Sequence, residues 1–323
     1  MPATGATPKG YKDFRHVLER KDVDAVIITT PDHWHALPLI LACEAGKEAY
    51  CEKPISHDIT EARSMEGAVK HFRRIVQIGT WQRSTPEFVS AVVYIRSGKL
   101  GRISTVNAWK TDDVQMGRHV SNGNAPSTFD YDFWTGPAVL KPYIPQYTHG
   151  NWRWFFDYGS GMTGDWGVHM MDIGMLGMSP DTNLTMPYAV SSMGGKLAYP
   201  NDDRTTPDTV LALMSFKNPN FVMTWRTDRN HAGFPDHGTQ FVSTDGRSLT
   251  VWRGGWKIQD SNGMELPKEE SLPTNNHNAE LAGLYEIKGS ANIQSVVSRT
   301  HNNGMPPHQC QLPNRRDFKM GFQ

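Results

Sequence analysis

The residues whose types and spacing could carry out chemistry are concentrated in one glycine-rich stretch, GSGMTGDWGVHMMD at 159–172. This pattern predicts a turn that opens a helix near Thr163. Asp165 and His169 are four residues apart and would lie on one helical face, with Asp172 near that face three residues later. A carboxylate beside an imidazole can raise the basicity of the ring and fix its orientation, as a general base requires. The competing interpretation is a helix-capping aspartate and a buried structural histidine.

A second candidate is Lys53, which lies in the tripeptide EKP at 52–54, directly after a predicted buried strand. An ammonium at a strand end can donate to a substrate hydroxyl and stabilise negative charge that develops on its oxygen. An ordinary surface lysine is the alternative. In TPDHWH at 30–35, His33 and His35 flank Trp34 and could either contact a cofactor or form a turn.

A metal site is conceivable from His169, Asp172 and one further histidine. The sequence contains no compact ligand motif such as H-E-x-x-H, so we predict no metal. Four tryptophans could stack on sugar faces or simply pack in a core: Trp109, Trp134, Trp152 and Trp154.

The elements that must position these groups alternate between strand and helix in the first hundred residues. The patterns predict helices at 11–20, 36–45, 59–72 and 86–97, and strands at 24–30, 48–51 and 75–79. This alternation predicts a right-handed, doubly wound parallel sheet. Ligands bind such sheets beyond the carboxyl ends of the strands, where both TPDHWH and EKP fall. We therefore expect these two segments to share a site.

A different pattern follows Gly101. Strands of an antiparallel sheet are predicted at 103–110, 210–216, 221–226, 240–243 and 248–252, with Asp245-Gly246 as a tight turn. Residues 113–158 are long, irregular and rich in proline and aromatics, which is typical of a functional loop.

Length and charge narrow the class of protein. A chain of 323 residues suggests two domains at about 150 residues each. The 33 basic and 33 acidic residues balance, which argues against a dedicated nucleic-acid binder. No apolar run approaches the roughly 18 residues that a membrane span requires. Three cysteines, Cys43, Cys51 and Cys310, make no disulfide framework. The compartment stays open between cytoplasm and periplasm.

Seven segments, taken in order, resemble the Gfo/Idh/MocA (glucose–fructose oxidoreductase / inositol dehydrogenase) family of oxidoreductases. They span roughly residues 11–256 and are TPDHWH at 30–35, EKP at 52–54, VQIGTWQRS at 76–84, IRSGKLGRI at 95–103, FDYDFWTGPA at 129–138, NWRWFFDYGSGMTGDWGVHMMDI at 151–173 and GTQFVSTDGRSLTVWRGGW at 238–256.

The resemblance implies an α/β fold with the active site between two domains. Residues 1–100 would form an incomplete Rossmann-like domain, and 101–323 an α+β domain with a large open-faced, mainly antiparallel sheet for substrate binding and oligomerisation. It implies hydride transfer between NAD or NADP and a hydroxyl-bearing carbon of a sugar, polyol or glycoside. A homo-oligomer through the open sheet is also implied, without nucleic acid or membrane partners.

The resemblance also implies roles for individual residues. His169 would act as acid and base on the substrate hydroxyl, Lys53 would bind and polarise that hydroxyl, and Asp165 would complete the catalytic set. Cofactor contacts are expected from Thr30, Pro31, His33, His35, Glu52, Lys53 and Pro54. Substrate contacts are expected from Trp152, Arg153, Asp165 and Asp172.

The sequence departs from the family pattern at both ends. Members begin with a strand, a G-x-G-x-x-G turn and a helix, which seat the pyrophosphate. Here Gly5 and Gly10 do not form that motif, so we expect about 35 residues or more of a βαβ unit to be absent and NAD binding to be weakened. The tail after Leu281 lacks the expected final helix. Either the sequence is an incomplete gene product, or the protein is genuinely shortened.

Two other functions stay open at this point. One is a redox-neutral, NAD-assisted glycoside-cleaving enzyme, in which oxidation at C3 acidifies the neighbouring C2–H. The other is a non-catalytic sugar-binding remnant.

Overall fold

Two sheets contain the strands of the computed structural model, which describes residues 8–112, 114–118, 122–180, 184–229 and 235–267. The first is a three-stranded parallel sheet and the second an eight-stranded mixed sheet. This confirms the predicted α/β class, with a parallel sheet followed by a larger open one. The expected departure after Leu281, and Cys310, lie outside the described residues.

The parallel sheet follows the prediction closely. Its order is β1 (Ala25–Ile28), β2 (Glu48–Cys51) and β3 (Val76–Ile78), and Ile28, Cys51 and Ile78 lie in register across it. A core of aliphatic and sulfur side chains lies between these strands and two helices. The two helices are α2 (Ala36–Glu44) and α3 (Ile59–Phe72). A shorter helix, α1 (Arg15–Leu18), precedes them in the chain.

The predicted helix at 11–20 is wrong in extent. Only Arg15–Leu18 is helical (α1), and none of its residues is buried. A helix this short gains little from its own hydrogen bonds, and without a buried face nothing in the packing extends it.

The second sheet has the strand order β11-β10-β9-β8-β4-β7-β6-β5. The strands are β4 (Ile103–Thr111), β5 (Ala189–Gly195), β6 (Thr209–Lys217), β7 (Asn220–Asp228), β8 (His237–Ser243), β9 (Ser248–Trp252), β10 (Gly255–Gln259) and β11 (Glu265–Leu266). The sheet is mainly antiparallel, as expected, and its one parallel pair among the described strands is β4 with β7. A parallel pair requires a long crossover, and residues 112–219 supply it.

Two helices pack on one face of this sheet. They are α4 (Pro86–Arg96) and α6 (Val168–Met178); between them in sequence lies the short α5 (Tyr131–Thr135). A Cβ on Gly177 would lie 2.7 Å from the ring of Phe241, so glycine allows α6 to approach the sheet closely. In the described residues no helix combines the length and apolarity needed to cross a membrane.

Helix α4 bears on the proposed domain division. It lies within 1–100, yet its buried face, including Phe88 and Ala91, belongs to the core of the larger sheet. The packing therefore favours a division nearer residue 80 than residue 100, and we keep the two-domain division as a proposal.

A fully buried ion pair connects the residue that follows β4 with the segment that precedes β6. Arg204 donates to Asp112 across 2.7 Å, and both side chains are 0% exposed. The guanidinium also donates to the carbonyls of Val114, Thr206 and Pro207. These four hydrogen bonds help to offset the desolvation that burying two charges costs.

Replacing Arg204 by Met leaves the Asp112 carboxylate buried without its counter-ion, with the backbone N–H of Val114 as a remaining donor. We expect a loss of about 3–5 kcal/mol in the free energy of unfolding, measured by urea denaturation. The control is Arg247→Met, which breaks the exposed pair with Asp245 and should cost about 1 kcal/mol or less. Equal losses in the two variants would contradict this account of the buried pair.

Candidate active site

Lys53 joins the two sheets. It lies two residues after the carboxyl end of β2, and its Nζ donates to the carboxylate Oδ1 of Asp165 at 2.6 Å and to the carbonyl oxygen of Asp165 at 2.9 Å. Both side chains are 16% exposed, so solvent screens the pair only weakly. The residues that the sequence suggested separately therefore meet at one place.

Asp165 lies in a π-helical turn, Thr163–Gly167, that leads directly into α6. The turn is preceded by Gly161 at φ +65°, where a Cβ would also lie 2.7 Å from the Cβ of Thr206. Only glycine fits such a position without strain. The glycine-rich pattern of the sequence thus has a local cause, and π-helical turns are frequent at functional sites.

Two cations share the Asp165 carboxylate. Arg153 Nε donates to Oδ1 at 3.2 Å, beside the Lys53 ammonium, and the Arg153 guanidinium lies 4.3 Å above the ring of Trp152. Burial alone would raise the pKa of Asp165, but Lys53 and Arg153 outweigh it and hold that pKa below its usual value. Asp165 is therefore an anion that positions the Lys53 ammonium.

His169 is buried, 4% exposed, and makes no ring hydrogen bond to the described part of the chain; its Nδ1 is fully enclosed. Burial lowers the pKa of His169 to about 3, with the nearby charges of Lys53 and Arg253 acting in the same direction. This differs from the expectation that Asp165 makes the imidazole more basic, because the effect of that carboxylate is outweighed. At neutral pH the ring is uncharged and able to accept a proton.

Asp172 bridges back to the first sheet. Arg83 lies in the short helix Trp81–Ser84 that follows β3. Its Nε donates to Oδ2 of Asp172 at 2.7 Å, and its Nη2 donates to Oδ1 of the same carboxylate. Such a bidentate pair fixes the orientation of α6. The expected contact of Asp172 with substrate stays a prediction.

The two histidines of TPDHWH serve the protein's own packing. The ring nitrogens of His35 lie 2.7 Å from the carbonyl oxygen of Pro54 and 2.9 Å from that of Thr30, so His35 ties together the ends of β1 and β2. His33 packs against Trp134 and Tyr158 of the other domain. Cofactor contacts by either histidine stay predictions, as do those of Pro31.

Glu52 directly follows β2, and its carboxyl group lies against Gly79. A Cβ added at position 79 would come within 2.9 Å of the Glu52 carboxyl group. Its Oε2 also accepts from the backbone N–H of Lys53 at 3.1 Å. The carboxylate is thereby held at the carboxyl edge of the sheet, where sequence reasoning placed it.

The sequence reasoning missed three residues around His169 and one buried aspartate, Asp32, near Lys53. Trp81 and Trp166 lie with ring centres 5.8 Å and 6.3 Å from the imidazole, and Arg253 lies against both indoles. Asp32 is buried, and desolvation raises its pKa to about 8. Only Asp32 carried a usable signal, since it follows β1 within TPDHWH.

The tryptophans singled out from the sequence are mostly packed. Trp109, Trp152 and Trp154 are buried, and Trp134 contacts His33 and Tyr158. In the portion of the chain that is described, no three His, Cys, Asp or Glu side chains are grouped to hold a metal ion.

Comparison with known proteins assigns the family. Residues 3–80 match the NAD-binding Rossmann fold of the oxidoreductase family GFO_IDH_MocA, and residues 98–191 match the C-terminal alpha/beta domain of the same family. Together the two matches cover more than half of the chain. The chain belongs to the Gfo/Idh/MocA oxidoreductase family.

Two curated relatives have named activities. Levoglucosan dehydrogenase of Pseudarthrobacter phenanthrenivorans is 38% identical over 91 residues, which is 28% of this chain and 23% of the relative. Inositol 2-dehydrogenase of Salmonella typhimurium is 29% identical over 151 residues, 46% of this chain and 41% of the relative. The chain thus matches less than half the length of either.

A solved structure supports the fold. The inositol dehydrogenase homolog of Azotobacter vinelandii, complexed with NADH and myo-inositol, has a TM-score of 0.55 and 19% identity, covering 81% of this chain and 60% of that one. At this identity the likeness shows the fold alone.

Removing the Lys53 ammonium should raise the pKa of His169. Lys53→Met takes away a positive charge that disfavours the protonated imidazole, so the pKa moves up from about 3 towards the ordinary value. The measurement is an NMR titration of the imidazole C–H signals, with His169→Asn identifying the resonance. Lys141→Met, at an exposed lysine paired with Asp157, is the control and should leave it unmoved. An identical titration in Lys53→Met and the unmodified protein would contradict the proximity of the two groups.

Proposed function

We propose that the protein is an NAD(P)-dependent dehydrogenase that oxidises a CH–OH group of a sugar or polyol. The observation that carries this proposal is the ion pair of Lys53, which follows a strand of the parallel sheet, with Asp165, in the turn that leads into α6. His169 on α6 lies within reach of the Lys53 charge. Family membership and the named activities of the relatives support the substrate class.

The site supplies both groups that alcohol oxidation requires. A substrate hydroxyl placed between Lys53 and His169 accepts a hydrogen bond from the ammonium, which stabilises negative charge developing on the oxygen. The uncharged His169 takes the hydroxyl proton as the C–H bond breaks and the C=O bond forms. Asp165 keeps the ammonium in place through the ion pair.

The residues present fit a nicotinamide cofactor. The enclosed Nδ1 of His169 lacks a partner, and the fixed carboxylate of Glu52 is an acceptor of the type that binds ribose hydroxyls. Thr30, Pro31, Glu52, Lys53 and Pro54, at the carboxyl ends of β1 and β2, would hold the nicotinamide end. When bound, NAD(P) accepts the hydride that leaves the carbinol carbon.

The catalytic assignment is tested by Lys53→Met and His169→Asn. Each should lower kcat for NADH formation by about a hundredfold or more, since each removes a group that acts in the transition state. The assay follows NADH absorbance with saturating NAD⁺ and a panel of sugars and polyols. His16→Asn and Lys70→Met, both at exposed side chains, are the matched controls.

Two results would overturn the dehydrogenase proposal. Release of a leaving group from an aryl glycoside, without net NADH, would favour the glycoside-cleaving alternative. Unchanged turnover in both variants, with thermal stability intact, would exclude catalysis by these residues.

The open face of the larger sheet supports a further proposal, a homo-oligomer. Met193 on β5 pairs with Leu211 on β6, and Leu213 shares their face. All three are exposed, Met193 by 82%. We propose that a second copy of the chain covers this face, because a contiguous exposed apolar patch marks an interaction site.

The double substitution Leu211→Glu and Leu213→Glu should convert the oligomer to a monomer, because four carboxylates would be buried at a two-fold interface. Size-exclusion chromatography with light scattering measures the mass. Ile59→Glu, at an exposed apolar residue of α3, is the control. An unmodified protein that is already monomeric would refute the proposal.

A further inference from the structure

Arg253 is the cation that the proposed reaction does not use. It lies in the turn between β9 and β10, and its guanidinium carbon is 4.0 Å from the ring centre of Trp166 and 4.6 Å from that of Trp81. Both indoles also contact the imidazole of His169. Three distant segments of the chain therefore place Arg253 beside the proposed base.

The other cations around the site each have a carboxylate partner. Lys53 and Arg153 share Asp165, and Lys110 pairs with Asp236. Arg83 is held by Asp172.

Arg253 has no such partner. Its Nε donates to Oε1 of Gln82 at 3.0 Å, and among the described residues no acceptor meets its two terminal nitrogens and no carboxylate pairs with it. Burial lowers the pKa of Arg253, which shows that its charge is partly desolvated. The carboxylates of Asp165 and Asp236 act on this charge in the opposite direction, but neither accepts a hydrogen bond from it. The partly desolvated guanidinium is thus left without a hydrogen-bonded counter-ion.

The side chain is also held in one orientation. The guanidinium lies over the rings of both indoles, and the hydrogen bond to Gln82 holds its Nε edge. The backbone N–H of Arg253 is held by Nε2 of His237 at 3.1 Å. The terminal nitrogens remain as a planar pair of donors, the geometry that matches a carboxylate.

We propose that Arg253 binds a carboxylate of the substrate, so that the enzyme acts on a sugar acid in preference to the corresponding neutral sugar. This rests on the proposed dehydrogenase function and narrows its substrate class. A carboxylate is favoured over a phosphate because the two terminal nitrogens of one guanidinium form a planar pair of donors, which matches the two oxygens of a planar group with a single negative charge.

The test compares acids with neutral compounds of the same shape. D-glucuronate is paired with D-glucuronamide, and D-galacturonate with D-galacturonamide, in an NADH assay and in binding titrations followed by tryptophan fluorescence without cofactor. For at least one pair we expect the acid to be favoured roughly ten- to hundredfold, in kcat/KM and in Kd, since a charge-assisted bidentate bond is lost in the amide.

Arg253→Gln should reduce this preference to within about twofold, whereas Arg253→Lys, which keeps the charge but not the planar pair of donors, should retain part of it. Arg247→Gln, at the other end of β9, removes the same charge away from the site and should keep the full preference.

The outcomes separate the two proposals. A binding preference that depends on Arg253, without NADH formation from any compound, leaves the anion site standing and refutes the dehydrogenase. Equal binding of acid and amide in both pairs, a preference that survives in Arg253→Gln, or competition by inorganic phosphate but by neither acid refutes the carboxylate site.

Discussion

The ion pair between Lys53 and Asp165 is the interaction on which the rest of the site depends. It is the contact through which the end of a parallel strand meets the helix of a different sheet. Because the pair is mostly shielded from solvent, losing Asp165 would leave the Lys53 ammonium without its carboxylate partner, whereas losing Lys53 would leave Asp165 with Arg153 alone. The Asp172–Arg83 pair makes a second bridge from α6 to the first sheet. Together they hold the two sheets in the relative position that gives His169 its surroundings.

The local elements were predictable wherever the pattern and the packing agree. The bounds of α3 and β2 follow from the sequence, since α3 has an amphipathic pattern and an Asp58 cap that accepts from the N–H of Glu61. Strand β5 was missed because AVSSMGG is small, glycine-rich and exposed on both faces. The parallel pairing of β4 with β7 was missed because strand patterns do not encode direction.

The residues of the candidate site also fall into those that the sequence predicted and those that only the folded chain shows. Lys53, Asp165 and His169 carried a signal because each lies in a short segment with a distinctive composition. Arg253 was not recognised, although it lies in the segment 238–256, because it reaches the site only through the strand order of the larger sheet and its contacts with Trp81 and Trp166. His35 was found, but its function in tying Thr30 to Pro54 depends on hydrogen bonds that only the folded chain shows.

Burial sorts the ionisable groups of the site into distinct states. Asp165 stays charged because two cations reach it, whereas Asp32, without a hydrogen-bonded cation, has its pKa raised to about 8 and is mostly protonated at neutral pH. Burying a charge is costly, so burial favours the uncharged form of both groups. It raises the pKa of Asp32 and lowers the pKa of His169. Enzymes commonly separate acid and base roles by pushing pKa values apart. Here the result is a fixed Lys53 ammonium near an uncharged imidazole, the arrangement on which the proposed dehydrogenase function rests.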